Sequence, residues 1–208
     1  MPTGRDVDRR SPDKLPAALS PSIPPVAFRR LCAVSGALAL ALGLGACQLS
    51  HPTSGDGEGL YVDAGPISYQ VQISRQLNPF SAEDREYING VSGTGPTASQ
   101  MWFAIFLWAK NQSHSNQTTS DSFDIVDTQG RKYYPVALNP HVNPFAWTSQ
   151  TLQPDGTEPG PDTVGSFGPT QGNELLFKLN STVYSNRPLT LEIYAPGQPQ
   201  PSSISLDL

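Results

Sequence analysis

Cysteine is nearly absent: 208 residues hold two, Cys32 and Cys47. A fold stapled by several disulfides is therefore excluded. Charge is scarce too. Asp, Glu, Lys and Arg make up 15% of the chain, too little for a charge-rich disordered tail or for long solvent-facing helices. Histidine occurs three times, at positions 51, 114 and 141, and provides no Cys/His set for structural zinc. Only one apolar run is long, Leu31 to Ala46, and at sixteen residues it falls short of the 20 or so that span a bilayer as a helix.

Basic residues are missing where a nucleic acid would need them. Residues 1–46 carry six basic and three acidic side chains, whereas residues 47–208 carry seven basic and fifteen acidic, a net of −8. So acidic a segment offers no footprint for phosphate backbones and excludes nucleic acid as a partner. It is also repelled by anionic headgroups, so any attachment to a membrane must come from elsewhere.

The attachment is legible in "RRLCAVSGALALALGLGACQLSHP", residues 29–52. Arg29 and Arg30 flank an apolar region of signal-peptide length, and the small residues Gly45 and Ala46 precede Cys47. Leu44-Gly45-Ala46-Cys47 resembles the bacterial lipobox, in which the cysteine is acylated and the peptide bond after Ala46 is cut. The competing reading is an uncleaved anchor with an incidental cysteine. With cleavage, Cys32 leaves with the signal and Cys47 becomes the lipid-bearing first residue. The protein is then held at the extracytoplasmic face of the cell membrane, and its fold relies on its core. Residues 1–28 are polar and Pro-rich, longer than a signal requires. They read either as a leader or as the result of a start placed too early, with Val26 as the alternative start. The paired arginines at 9–10 and 29–30 lack a full twin-arginine motif.

The expected organisation is thus a leader (1–28), a lipoprotein signal (29–46), a lipidated cysteine with a flexible polar tether (47–59), and one domain (60–208). His51 lies in the tether and is expected to be solvated. From Leu60 the periodicity is that of strands. "ISYQVQIS" alternates, "MWFAIFLWA" (101–109) is apolar on both faces, and "ELLFKLN", "LTLEIY" and "ISLDL" alternate again. "FDIV" and "KYYPV" flank Asp127-Thr128-Gln129-Gly130, a hairpin turn with glycine at a positive φ. Seven to eight short strands punctuated by Gly and Pro predict an all-β, antiparallel sandwich. One helix is expected at "SAEDREY", capped by Ser81, with Glu83 and Asp84 in its first turn. The Pro/Gly-rich stretch 139–172 is expected to wrap one end.

The order of these segments, and above all "FDIVDTQGRKYYP" at 123–135, resembles the immunoglobulin-like domain of bacterial lipoproteins filed as domain of unknown function 4352, a fold shared with secreted mycobacterial immunogenic antigens. The likeness covers roughly Leu60 to Leu208. It implies an immunoglobulin-like sandwich in the cell envelope. The long insertion before Leu175 and the enlarged segment between Phe80 and Gln100 depart from the pattern. The family has no established catalytic residues, so none is carried over.

Sites of chemistry are few. Ser92 in "GVSGTG" lacks the strand-to-helix frame of a nucleophile elbow, and Pro96 removes a donor that a phosphate cradle would need. Asp121, Asp124 and Asp127 alternate faces of a strand and cannot converge. Asp155, Glu158 and Asp162 lack the spacing of a calcium loop, so no metal site and no cofactor are expected. Asn111, Asn116 and Asn180 begin glycosylation sequons by chance. The strongest hint is aromatic. Trp102, Phe106 and Trp108 share one face of the central strand, while Met101, Phe103, Ile105 and Leu107 share the other. A sandwich strand needs one apolar face for its core. The other is either covered by the 81–87 helix or the 139–172 loop, or exposed to an envelope protein or glycan. Three functions therefore compete: a non-enzymatic binding domain, a hydrolase built around His114 or His141, and a structural spacer.

Overall fold

The structure, a computed structural model, describes residues 50–168 and 170–207. The signal and the lipobox, with Ala46 and Cys47, lie outside the described residues.

Two sheets face each other. The first has the order β1–β12–β11–β6–β7, formed by Ser54–Gly55, Ser202–Leu206, Leu189–Ile193, Phe123–Val126 and Lys132–Tyr133. The second has the order β10–β4–β3–β2, formed by Asn173–Asn180, Gln100–Asn111, Ile67–Leu77 and Tyr61–Ala64. β9 (Thr157–Glu158) continues the β10 edge by pairing with Ala109 and Lys110 of β4. β5 (Gln117–Thr118) and β8 (Thr151–Leu152) make a separate small ribbon. Pairing is antiparallel except between β1 and β12. Among the described residues seven strands have four or more residues, so the sequence-based expectation of an antiparallel sandwich holds. The remaining five are two-residue pairings.

Alternation on each long strand fills the space between the sheets. Met101, Phe103, Ile105 and Leu107 meet Phe123, Ile125, Leu189, Leu191, Ile193 and Ile204 there. Each such fully buried aliphatic or aromatic side chain contributes about 1.5–3 kcal/mol. The turn of the β6–β7 hairpin is closed by Gly130 at φ 74 and by Asp127, whose carboxylate accepts from the Gln129 and Arg131 backbone N–H groups. Gly172 enters β10 at φ 111, where a Cβ would stand 2.8 Å from the Phe106 carbonyl carbon. Only glycine lets the strand approach β4 so closely there.

Two local expectations are corrected. The helix, α1 (Ala82–Ile88), follows Ser81, but the Ser81 side chain makes no capping hydrogen bond. Asp84 fixes it instead, accepting from the Asn78 N–H at 2.7 Å and pairing with Arg75 at 2.7 Å. The second correction concerns the tether. From His51 onward it is part of the fold: the Pro52 carbonyl accepts from Asp63 N–H, the Thr53 carbonyl accepts from Ser203 N–H, and β1 pairs with β12. Backbone hydrogen bonds hold this stretch, so its polar side chains leave no trace of the pairing in the sequence pattern.

Candidate functional site

The outer face of the second sheet is divided. Its first half is a second core, in which Trp102 (3% exposed), Ala104, Phe106 (0%), Leu77 and Leu176 lie beneath Tyr87 and Phe145. α1 supplies Tyr87, and the 139–172 loop supplies Phe145. The Tyr87 ring packs edge-on against Phe106 and Phe145, at 4.8 Å each. Lys178 covers Trp102 as a cation over its ring at 5.4 Å. Trp102 and Phe106 are therefore corrected as docking residues. They are internal because both candidate covers close over them.

Past Phe106 the cover ends. Cross-strand register places Tyr61, Gln70 and Trp108 in one row, and Asp63, Ser68, Lys110 and Thr157 in the next. Directly opposed residues project from the same face, so these two rows form a floor that is open except at Ser68, which is fully buried. Trp108 is half-buried and Tyr61 exposed. Their rings meet edge-on at 5.8 Å, and the His51 ring lies 5.3 Å from Tyr61. Together with Gln112, Asp155 and Thr157 they line an open cleft of about 350 Å³.

The cleft wall is held firmly. Asn111, fully buried, donates its side-chain amide to the Ser115, Leu152 and Gln153 carbonyls at 2.8–3.1 Å. It thereby ties the loop that carries Asp155 and Thr157 to the end of β4. Asp155 takes φ 60 and pairs with Lys110 at 3.2 Å. The opposite corner is His51. Its backbone N–H donates to Asp63 Oδ2 at 2.7 Å, and its Nδ1 lies 3.0 Å from both Asp63 Oδ1 and Ser68 Oγ.

A Ser, a His and an Asp thus meet, in an arrangement unlike a nucleophilic triad. A triad needs the carboxylate on Nδ1 and the serine on Nε2. Here both crowd Nδ1, and the fully buried Ser68 hydroxyl donates to Asp63. The histidines singled out from the sequence stand elsewhere: His114 and His141 are both exposed on loops.

The acidic residues do not converge. Asp155 is exposed beside Lys110, Glu158 is fully buried, and Asp162 is exposed on a turn at φ 65. Asp124 binds Lys132 at 2.9 Å, and Asp127 binds Arg131 at 3.0 Å. Among the described residues no group of three His, Cys, Asp or Glu side chains is placed to hold a metal ion. Millimolar Ca²⁺ or a chelator is accordingly expected to leave the melting temperature unchanged. A rise of several degrees with Ca²⁺ would contradict that.

Two carboxyl groups are strongly perturbed. Burial pushes Glu158 up to about 7, although Thr119 and Asn173 donate hydrogen bonds to it. Burial pushes Glu174 up to about 8, and its Oε1 has no hydrogen-bond partner. Glu174 borders a second, smaller hollow of about 250 Å³ beside Pro135–Leu138 and Trp147. The Asn143 amide, which bonds the Tyr87 carbonyl, also reaches Glu174 Oε2 at 3.4 Å. These groups bind the loop to the sheet.

Sequence reasoning reached Trp108 and missed His51, Tyr61, Gln70 and Thr157. "YVDA" does alternate outward at Tyr61 and Asp63, and that was the available signal. What defines this chain is an antiparallel β-sandwich with one sheet face half sealed and half open. No family model matches it, and no curated protein does. Among solved structures, it is similar to a candidate lipoprotein, ycdA, of Bacillus subtilis, at 10% identity over 71% of this chain and 38% of that one, with a TM-score of 0.43. The chain thus spans well under half the length of that protein. It is also similar to the yjhA protein of Bacillus subtilis, at 11% identity over 73% of this chain and 99% of that one (TM-score 0.41), and to an uncharacterised β-sandwich protein of Clostridium difficile 630, at 12% identity over 74% and 95% (TM-score 0.40). No helix among the described residues is long and apolar enough to cross a membrane.

Proposed function

We propose that the chain is a lipid-anchored, extracytoplasmic domain that binds a component of the cell envelope without catalysing a reaction. The observation that carries the binding part is the open floor around Trp108. The other half of the same face is sealed by α1 and the 139–172 loop, while this half leaves two aromatic rings in a cleft rimmed by His51, Lys110, Gln112 and Asp155. Exposed aromatic side chains on a held framework are the usual anchors of recognition surfaces. The lipobox-like Leu44-Gly45-Ala46-Cys47 after an apolar run supports the anchor. The "FDIVDTQGRKYYP" hairpin supports membership of the domain of unknown function 4352 group.

The hydrolase reading is disfavoured because the imidazole with a serine and a carboxylate has both on one nitrogen. The spacer reading differs from binding in its expected outcome. Cys47→Ala should abolish lipid labelling and leave the protein unprocessed or released. Trp108→Ala, with Cys47 intact, should keep lipid labelling and fold, and lose several-fold in retention on isolated envelope washed with detergent-free buffer. Unchanged retention would make the domain a spacer. An unlabelled wild type whose mature chain does not begin at Cys47 would overturn the anchor.

A further inference from the structure

We infer that the component engaged by the Trp108 cleft is the headgroup layer of the bilayer that holds the chain. This deepens the proposed function and rests on acylation of Cys47. The connection between lipid and fold is short. His51 is already bonded to Asp63 and Ser68, and Pro52 and Thr53 are already paired. Four residue steps separate Cys47 from His51, and an extended chain covers at most about 3.6 Å per step, so the two Cα atoms stay within about 14 Å. A free tether of residues 48–59 would have allowed about 47 Å between Cys47 and Leu60 at the same rise.

The cleft borders the point at which the chain enters the fold. His51 is one wall, Tyr61 follows at 5.3 Å and Trp108 at a further 5.8 Å. Leu60, beside Tyr61, is 49% exposed. Trp and Tyr rings are enriched at the depth where hydrocarbon gives way to headgroups, because one end of each ring is apolar and the other hydrogen-bonds. Lys110 completes that chemistry with an apolar stem and an ammonium group that can donate hydrogen bonds to a lipid phosphate. Its present partner, Asp155, is 84% exposed, and an exposed pair of this kind is weak enough to exchange.

Charge decides the manner of contact. The segment after the signal carries a net of −8 and is repelled by anionic lipid as a whole. The cleft itself mixes His51 and Lys110 with Asp63 and Asp155. The contact is therefore local, made by aromatic rings and a single ammonium, and it depends on the lipid anchor to hold the cleft at high effective concentration.

The test uses the mature lipidated protein in phosphatidylcholine vesicles whose upper acyl carbons carry bromine, a quencher of nearby tryptophan. The chain has three tryptophans, of which Trp102 is buried and Trp147 partly buried. Brominated lipid should quench part of the wild-type emission relative to unbrominated vesicles. Trp108→Phe should remove that quenching, and Trp147→Phe should retain it. Absent quenching in the wild type, or equal quenching in Trp108→Phe, overturns the inference. A Trp108 signal that ignores brominated lipid but responds to soluble cell-wall glycan fragments overturns it in favour of a sugar ligand. The mass of the N-terminal peptide from the same sample separates the two levels. A modified Cys47 with unquenched Trp108 overturns the inference alone, whereas an unmodified Cys47 overturns it together with the anchor.

Discussion

Phe106→Ala should lower the free energy of unfolding by about 3–5 kcal/mol, the cost of deleting a fully buried phenyl ring from a packed core. Trp108→Ala, two residues further along the same strand and past the cover, should cost about 1 kcal/mol or less. Phe106 is 0% exposed and packs against the Tyr87 ring. Its removal opens a cavity that neither α1 nor the strand can close, because Asp84 and Arg75 fix the helix and Gly172 fixes the β10 side. Domains of this size are stable by only about 5–15 kcal/mol, and residues 48–208 hold no cysteine to form a disulfide. The loss is thus a large fraction of the total. Denaturant unfolding of both variants reads it directly. Similar large losses would mean that Trp108 is core and that the open cleft is not a surface.

The second large effect is on pH. Glu158 and Glu174 have folded-state pKa values raised to about 7 and about 8 by burial, against ordinary values near 4.3 in the unfolded chain. Between those limits the folded state holds protons that the unfolded state has released. Stability must then fall as pH rises from about 5, by up to about 1.4 kcal/mol per pH unit for each group, the Glu158 contribution ending near pH 7 and the Glu174 contribution near pH 8. The effect is fully relieved below the unfolded pKa. Asp84 and Asp127 act in the opposite sense. Burial pushes each up, but Arg75 with the Asn78 N–H, and Arg131 with the Gln129 N–H, outweigh it and leave both below the usual range. Their contribution is present above about pH 4 and is lost below it. Stability should therefore peak near pH 5 and decline toward pH 8. Glu158→Gln and Glu174→Gln should each flatten the decline, because the amide stands in for the neutral acid. A stability that rises from pH 5 to pH 8 in the wild type would mean that both carboxylates are charged in the fold.

Much of the framework is legible from periodicity. Ile67–Leu77, Gln100–Asn111, Asn173–Asn180 and Leu189–Ile193 alternate or run apolar over enough residues for packing to leave a pattern. The cover over Trp102 and Phe106 is legible as well, since a strand apolar on both faces must be sealed, and 81–87 and 139–172 are the segments available. The two-residue strands are not legible, because backbone pairing at Ser54–Gly55 or Thr157–Glu158 makes no demand on side-chain type. Nor is the extent of the cover, which is set by where α1 stops and by the register of four strands. The cleft joins residues 51, 61, 108, 112, 155 and 157, and sequence separation alone does not say that His51 returns to Tyr61. The same stretch, read as a tether from its small polar residues, is held by hydrogen bonds to Asp63 and to β12.

The central claim is that the domain meets its envelope through the end of the sheet that carries Trp108. The most direct measurement is photo-crosslinking in intact cells. A photoreactive phenylalanine analogue is placed at Tyr61, 42% exposed in the cleft, or at Phe80, 92% exposed beyond the opposite end of β4. The account predicts a phospholipid adduct at position 61 and little at position 80. Equal adducts at the two positions, or none at position 61 in a lipidated protein, would contradict it.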